Sequence, residues 1–189
     1  RMQLLGQHQA ENAAAAVRAA ELALATQGIE LDQQTVHTAL AQVQLPGRGE
    51  IVRQRPLTIV DGAHTPLAAK RLRQALDQSS VPGPRVIVLG LLDGKDADGI
   101  TTALVSPDDQ VIVCTPAHPR AADPSEIAAL VRATGAVVTT APNIPTALER
   151  GTGIAGERGT VIVTGSMYSV AEARETLLAL FGDRALGLR

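Results

Sequence analysis

The spacing of apolar residues changes near Pro46. Before it they recur at helical spacing, as Leu22, Leu24 and Ile29, and then as Val36, Leu40 and Val43. The alanine-rich run Asn12–Thr26 is dominated by strong helix formers and is followed by Gly28, so a helix with a glycine C-cap is predicted there. Asp32 suits the N-cap of a second helix running to about Gln44 and stopped by Pro46-Gly47. Two helices cannot bury such stripes on each other alone, so both are expected to pack on something further.

After Pro46 the apolar residues gather into short blocks, Glu50–Gln54, Leu57–Asp61, Arg85–Leu89, Gln110–Thr115, Ala136–Thr139 and Thr160–Thr164. Most are unbroken Val/Ile runs, the pattern of strands covered on both faces of a parallel sheet. Between them Pro66–Gln78, Asp96–Leu104, Pro124–Thr134 and Pro145–Gly151 read as crossover helices, and Val170–Phe181 follows the last block. The prediction is an α/β fold: an open, mostly parallel six-stranded sheet with helices on both faces, preceded by two helices. Only Arg55-Pro56 separates the first two blocks, so these pair antiparallel at an edge.

Ligands of open α/β sheets sit beyond the carboxyl ends of the strands. The segments there are Asp61-Gly62-Ala63-His64, Gly90 to Asp96, Thr115 to Asp123, and Gly165-Ser166-Met167-Tyr168. Asp61 can accept hydrogen bonds from ribose hydroxyls or a substrate amine, or it can cap local backbone. His64 can meet an anion near a helix N-terminus, or lie on the surface. Asn12 is either a helix cap or a ligand contact, and Arg48 either a fork for phosphate or a solvated linker arginine. Tyr168, one of two aromatic residues in the chain, either faces a ligand or packs under its turn.

Composition narrows the function further. A net charge of −2 with no basic run argues against a nucleic-acid partner. Apolar runs fall far short of the roughly 20 residues a membrane span needs, and no secretory leader is recognisable at Arg1. Cys114 is the sole cysteine, which favours a reducing, cytoplasmic setting. The non-Met start points to a longer polypeptide. No G-x-x-x-x-G-K-[ST] loop, no G-x-G-x-x-G after a strand, no G-x-S-x-G elbow and no metal-ligand spacing is present.

Six elements in order, Gly6-x-His8-Gln9-x-x-Asn12, Pro46-Gly47-Arg48, Asp61-Gly62-Ala63-His64-x-Pro66, Gly94-Lys95-Asp96, Pro119-Arg120-Ala121 and Gly165-Ser166-Met167-Tyr168, resemble the carboxyl-terminal portion of the folylpolyglutamate synthase/dihydrofolate synthase family, within the Mur ligases. The resemblance implies ATP-dependent addition of L-glutamate to dihydropteroate or folate through an acyl phosphate. It implies that residues 1–46 are the helical tail of an amino-terminal ATPase domain and that 47–189 form the glutamate ligase domain. The phosphate loop and magnesium ligands then lie in that ATPase domain, the enzyme acts as a monomer, and the isolated chain is inactive.

By the same resemblance Asn12 lies near the base, Arg48 on phosphate and Asp61 near the ribose of ATP, while His64, Ser166 and Tyr168 lie near the incoming glutamate. Asp61 and His64 are then the catalytic candidates. Two positions depart from the family: Thr65 stands where Asn is usual, and Leu45 where Trp is common. Two other functions share the pattern, a Mur ligase domain acting on a UDP-muramyl precursor and a nucleotide-binding module without catalysis.

Overall fold

A computed structural model describes residues 6–79 and 81–179. Two helices, α1 (Gln7–Ala25) and α2 (Gln33–Gln42), lead into strands β1 (Glu50–Gln54) and β2 (Leu57–Val60). Then α3 (Pro66–Gln78), β3 (Arg85–Leu89), α4 (Ala97–Leu104), β4 (Gln110–Cys114), α5 (Pro124–Ala133), β5 (Val137–Ala141), α6 (Ile144–Ala155), β6 (Thr160–Thr164) and α7 (Met167–Leu178) follow in turn. The six strands form one sheet in the order β1-β2-β6-β3-β4-β5, parallel except for the β1–β2 hairpin at the edge. The predicted architecture is therefore present.

Alternation along the inner strands divides the core into two layers. Ile87, Leu89, Ile162, Val111 and Val113 pack with α3, α4 and α5, through Leu72, Leu76, Ile100, Leu104, Ile127 and Val131. Val86, Val88, Val161, Val163 and Ile112 face the other way, onto Ile144, Ala147, Leu148, Val170 and Ala173 of α6 and α7. Both faces of the sheet are covered, which is why these strands carry unbroken apolar runs instead of an alternating pattern.

Element boundaries moved where a local signal misleads. Helix α1 begins at Gln7, five residues before the predicted start, so Asn12 lies inside the helix and is not its cap. Its end closes as expected: Gly28 takes φ 70° and donates to the Ala25 carbonyl, while Ile29 N–H reaches Leu24 O. Asp32 caps α2, accepting the Thr35 amide at 2.9 Å. Helix α6 runs through Gly151 and Gly153, past its predicted end, with Gly151 buried over Val86, Val88 and Ile112 of the sheet. Packing of α6 on the sheet outweighs the poor helix propensity of its two glycines. Strand β5 lies one to two residues beyond its predicted range because Thr139 and Thr140 pair with Ile112 and Val113. Helix α7 begins at Met167 and not at Val170; its predicted end at Phe181 lies outside the described residues.

The far end of the sheet is fixed by charge. Asp109, 1% exposed, accepts from Arg73 Nη1 at 2.6 Å and from the Ser106 amide at 2.9 Å, with Arg85 Nε 3.1 Å from its other oxygen. Asp77 ties the same two arginines from outside. The leading helices are different in kind: Leu22 is 56% and Ile29 50% exposed, and no residue of α2 is buried. Leu22 and Ile29 thus lie open among the described residues, while Leu24, Val36, Leu40 and Val43 are half-buried. No helix of the described residues is long and apolar enough to cross a membrane.

Candidate functional site

A cleft of about 370 Å³ forms where the first turns of α1, the glycine turn 47–49 and the β2–α3 junction converge. Backbone bonds join the last two. Gly62 N–H donates to Gly47 O at 2.9 Å, and Gly49 N–H donates to Asp61 Oδ2 at 2.7 Å. Gly47 and Gly49 hold φ of 71° and 59°, a region that side chains other than glycine rarely enter. Glu50 braces the turn from beneath, accepting the Gly47 amide at 2.8 Å and pairing with Arg174 of α7. Arg48 thus projects from an anchored turn, with its guanidinium exposed to the cleft.

Asp61 directly follows β2 and is 8% exposed. Its second oxygen accepts the Ala63 amide at 2.9 Å. Burial pushes its carboxyl pKa up, and the two amide bonds with the positive fields of Arg48 and His8 offset part of that rise. His64 Nδ1 lies 2.8 Å from the Gly62 carbonyl. A carbonyl only accepts, so the proton of the neutral ring sits on Nδ1 and Nε2 carries a lone pair. Thr65 caps α3 by accepting the Ala68 amide at 3.2 Å, with Pro66 following in the first turn.

The Asp-Gly-Ala-His element needs its glycine for space. A Cβ at Gly62 would lie 2.1 Å from Met167 Sδ and 3.0 Å from Arg48 Nη1. The β6–α7 turn therefore packs directly under the cleft. Gly165, at φ 107°, donates to Ala63 O at 3.1 Å, and a Cβ there would meet Gly90 O at 2.6 Å. Three strand ends meet at this point because β6 lies between β2 and β3.

Of the residues singled out in the sequence, Asn12, Arg48, Asp61 and His64 line this one cleft. Ser166 and Tyr168 do not line it; they belong to the adjoining β6–α7 turn. Ser166 is 3% exposed, its hydroxyl accepts the Ser169 amide at 3.0 Å, and Ser169 Oγ donates to Gly90 O at 2.9 Å. The Tyr168 ring meets the His118 ring at 4.1 Å between centroids. The sequence reading passed over Leu67, Ala68 and Arg71, which α3 presents to the cleft. Their one-face spacing, counted from the Thr65 cap, was the signal that marks them. Gln9, 5% exposed, also lines the cleft and accepts from the Asn12 side-chain amide at 3.4 Å.

Chemically the cleft suits a ligand with an apolar body and anionic groups. Leu45, Leu67 and Leu72 supply apolar walls, and Arg48 and Arg71 supply guanidinium groups. Asp61 is the one acid among the described residues lining it, and both of its oxygens already accept amides. Among the described residues no group of three or more His, Cys, Asp or Glu side chains gathers as a metal site. The donor set here, a single carboxylate whose two oxygens already accept amides, does not fit a cation.

The chain is similar to known proteins in sequence and in fold. A family model described as Mur ligase, glutamate ligase domain, matches residues 47–167. The dihydrofolate synthase/folylpolyglutamate synthase of Mycobacterium tuberculosis is 34% identical over 198 residues, covering 95% of this chain and 39% of that protein. A probable bifunctional folylpolyglutamate synthase/dihydropteroate synthase of Halobacterium salinarum is 32% identical over 181 residues, covering 95% of this chain and 21% of that protein. The crystal structure of Mycobacterium tuberculosis folylpolyglutamate synthase complexed with ADP and AMPPCP matches with a TM-score of 0.85 at 33% identity, over 96% of this chain and 42% of its own. The chain spans only about a fifth to two fifths of these relatives.

Proposed function

Because this chain belongs to the Mur ligase family through its glutamate ligase domain, we propose that it is the carboxyl-terminal part of a folylpolyglutamate synthase/dihydrofolate synthase. That enzyme joins L-glutamate to dihydropteroate or a folate at the expense of ATP. The observation that carries the reading is the convergence of Asn12, Arg48, Asp61 and His64, from three separate segments, on one cleft. In this reading residues 1–46 are the helical tail of the ATPase domain, whose remainder covers the apolar stripes of α1 and α2, and 47–189 are the glutamate ligase domain. Magnesium is held by that other domain. The enzyme acts as a monomer in this reading, and a reducing, cytoplasmic setting fits the buried free thiol of Cys114.

Each residue then has a task. Asn12 faces the base, the buried Asp61 carboxylate accepts from ribose hydroxyls, and the Arg48 fork holds phosphate. The γ-phosphate passes to a carboxylate of the pteroate or folyl substrate, giving an acyl phosphate. The amine of glutamate attacks its carbonyl carbon, the C–N bond forms, and phosphate leaves with the C–O electrons. The lone pair of His64 Nε2 takes the proton that the nitrogen loses as the amide forms, while Tyr168, on the turn that Ser166 caps, meets a glutamate carboxylate. Holding both reactants in register lowers the barrier by about 7–11 kcal/mol without any nucleophile from this chain.

The test is glutamate-dependent ADP release by the full-length enzyme, with folate and with a muramyl nucleotide as alternative acceptors. Turnover is expected with folate, lowered by Asp61→Ala through weaker nucleotide placement. Tyr168→Phe is expected mainly to raise the glutamate KM, and the isolated 189 residues to show no turnover. Wild-type kinetics in the Asp61→Ala enzyme would refute the site, and turnover by the isolated chain would refute the two-domain arrangement.

A further inference from the structure

The Pro119-Arg120-Ala121 element is left without a task by the nucleotide cleft, yet the β4–α5 loop that carries it is tethered on two sides. Asp93 N–H donates to Arg120 O at 2.7 Å and Ala122 N–H to Leu91 O at 3.1 Å, which fixes it to the loop after β3. Ala117 N–H donates to Glu172 Oε1 at 2.6 Å, which fixes it to α7. Such bracing of an irregular segment holds one side chain, that of His118, in a defined place.

Half-buried His118 stacks on Tyr168 with centroids 4.1 Å apart and planes tilted by 45°. Its Nδ1 accepts the Arg120 amide at 3.1 Å. An amide N–H only donates, so Nδ1 carries the lone pair and the proton of the neutral ring is on Nε2. His118 thus has the opposite tautomer to His64, whose Nδ1 faces a carbonyl. One histidine at this end of the sheet offers an acceptor, the other a donor. The donor stands beside a phenol that follows Met167, the residue packed under Gly62.

We propose that His118 is a further specificity-determining residue, its Nε2–H receiving a carboxylate of the incoming amino acid alongside Tyr168. This deepens, and rests on, the glutamate ligase reading above. A neutral donor held by its own backbone matches an anionic oxygen and leaves an unpaired N–H when that oxygen is missing, which is how a polar site rejects the wrong substrate. The exposed guanidinium of Arg120, two residues on, adds a favourable field.

Two substitutions separate this role from packing, because asparagine can replace the Nδ1 acceptor and glutamine the Nε2 donor, and both lose the ring. The measurement is the KM for L-glutamate, at saturating ATP and folate, in full-length His118→Asn and His118→Gln enzymes, with KM for ATP and kcat alongside. His118→Asn is expected to raise the glutamate KM roughly ten- to a hundredfold, the loss of one charge-assisted hydrogen bond. KM for ATP should stay unchanged, and His118→Gln should remain within a few fold of wild type. L-Glutamine as a competing substrate assigns the carboxylate: its relative use rises in His118→Asn if the side-chain carboxylate is bound, and is unchanged if the α-carboxylate is. The reverse order of the two variants, an equal effect in both, no effect in either, or a parallel rise in KM for ATP overturns the inference. A wild-type enzyme with turnover independent of glutamate overturns the proposed function as well, so the two failures are distinguishable.

Discussion

The Asp61 carboxylate accepts the Gly49 amide at 2.7 Å across twelve residues of sequence, and through that bond the end of β2 holds the turn that carries Arg48. One buried side chain therefore sets both the acceptor we propose for the ribose and the position of the arginine we propose for phosphate. Its loss should be felt in both places.

Burial places the Asp61 pKa above the ordinary carboxylate value, which means that folding favours its protonated form. The group's contribution to stability is then greatest below its unfolded pKa of about 3.9 and declines as pH rises through the higher folded pKa. Measured by urea denaturation between pH 3 and 7, wild type should lose stability relative to Asp61→Asn as pH rises. Nucleotide affinity should move the opposite way and fall on acidification, since only the ionised carboxylate accepts from both amides and a ribose. A stability difference independent of pH would refute the buried-acid assignment.

Gly165→Ala is expected to destabilise the protein by about 1–3 kcal/mol, because a φ of 107° admits no unstrained alanine and the new Cβ would press on Gly90 O. The same change should raise the glutamate KM by moving Tyr168. A denaturation midpoint equal to that of wild type would show that the β6–α7 turn can relax.

Asp109→Ala removes the buried carboxylate that accepts from Arg73 and forms an ion pair with Arg85, leaving Asp77 as the carboxylate that pairs with both. Because Asp77 still pairs with both arginines, the cost is that of the hydrogen bonds lost around a buried site, about 1–3 kcal/mol. Scanning calorimetry should report a lower Tm, with nucleotide affinity unaffected, because this network lies at the end of the sheet away from the cleft.

The Cys114 thiol is pushed up to about 12, first by burial and then by the negative charge of Glu172. At pH 8 the thiolate fraction is about one in ten thousand. An aromatic disulfide reagent should therefore leave native enzyme unlabelled and react fully after guanidinium unfolding. Rapid labelling of native protein would contradict the packing around β4.

The strands were legible because each inner strand is covered on two faces, and double coverage writes itself into sequence as unbroken runs such as Val86-Ile87-Val88-Leu89. Helix starts marked by Asp32 and Thr65 were legible because a cap is a local bond to an amide three residues on. The end of α6 was hidden because Gly151 reads as a breaker until Val86 and Val88 are placed beneath it. Asn12 read as a helix entrance because the first turn of α1 contains glutamine and histidine, which carry no cap signal.

What the sequence determined by itself is the α/β class, the order of its elements and the strand-end turns at which polar groups collect, since these depend on periodicity and on bonds between near neighbours. Only the tertiary structure decided that β6 lies between β2 and β3, so that Gly165 bonds to Ala63 and Met167 fills the space beside Gly62. It also decided that α1 closes a cleft with the Arg48 turn, and that His118 stands on Tyr168. Such pairings join residues about 40 to 100 positions apart and are selected by how whole strands and helices bury their faces together, a free energy that no local pattern contains.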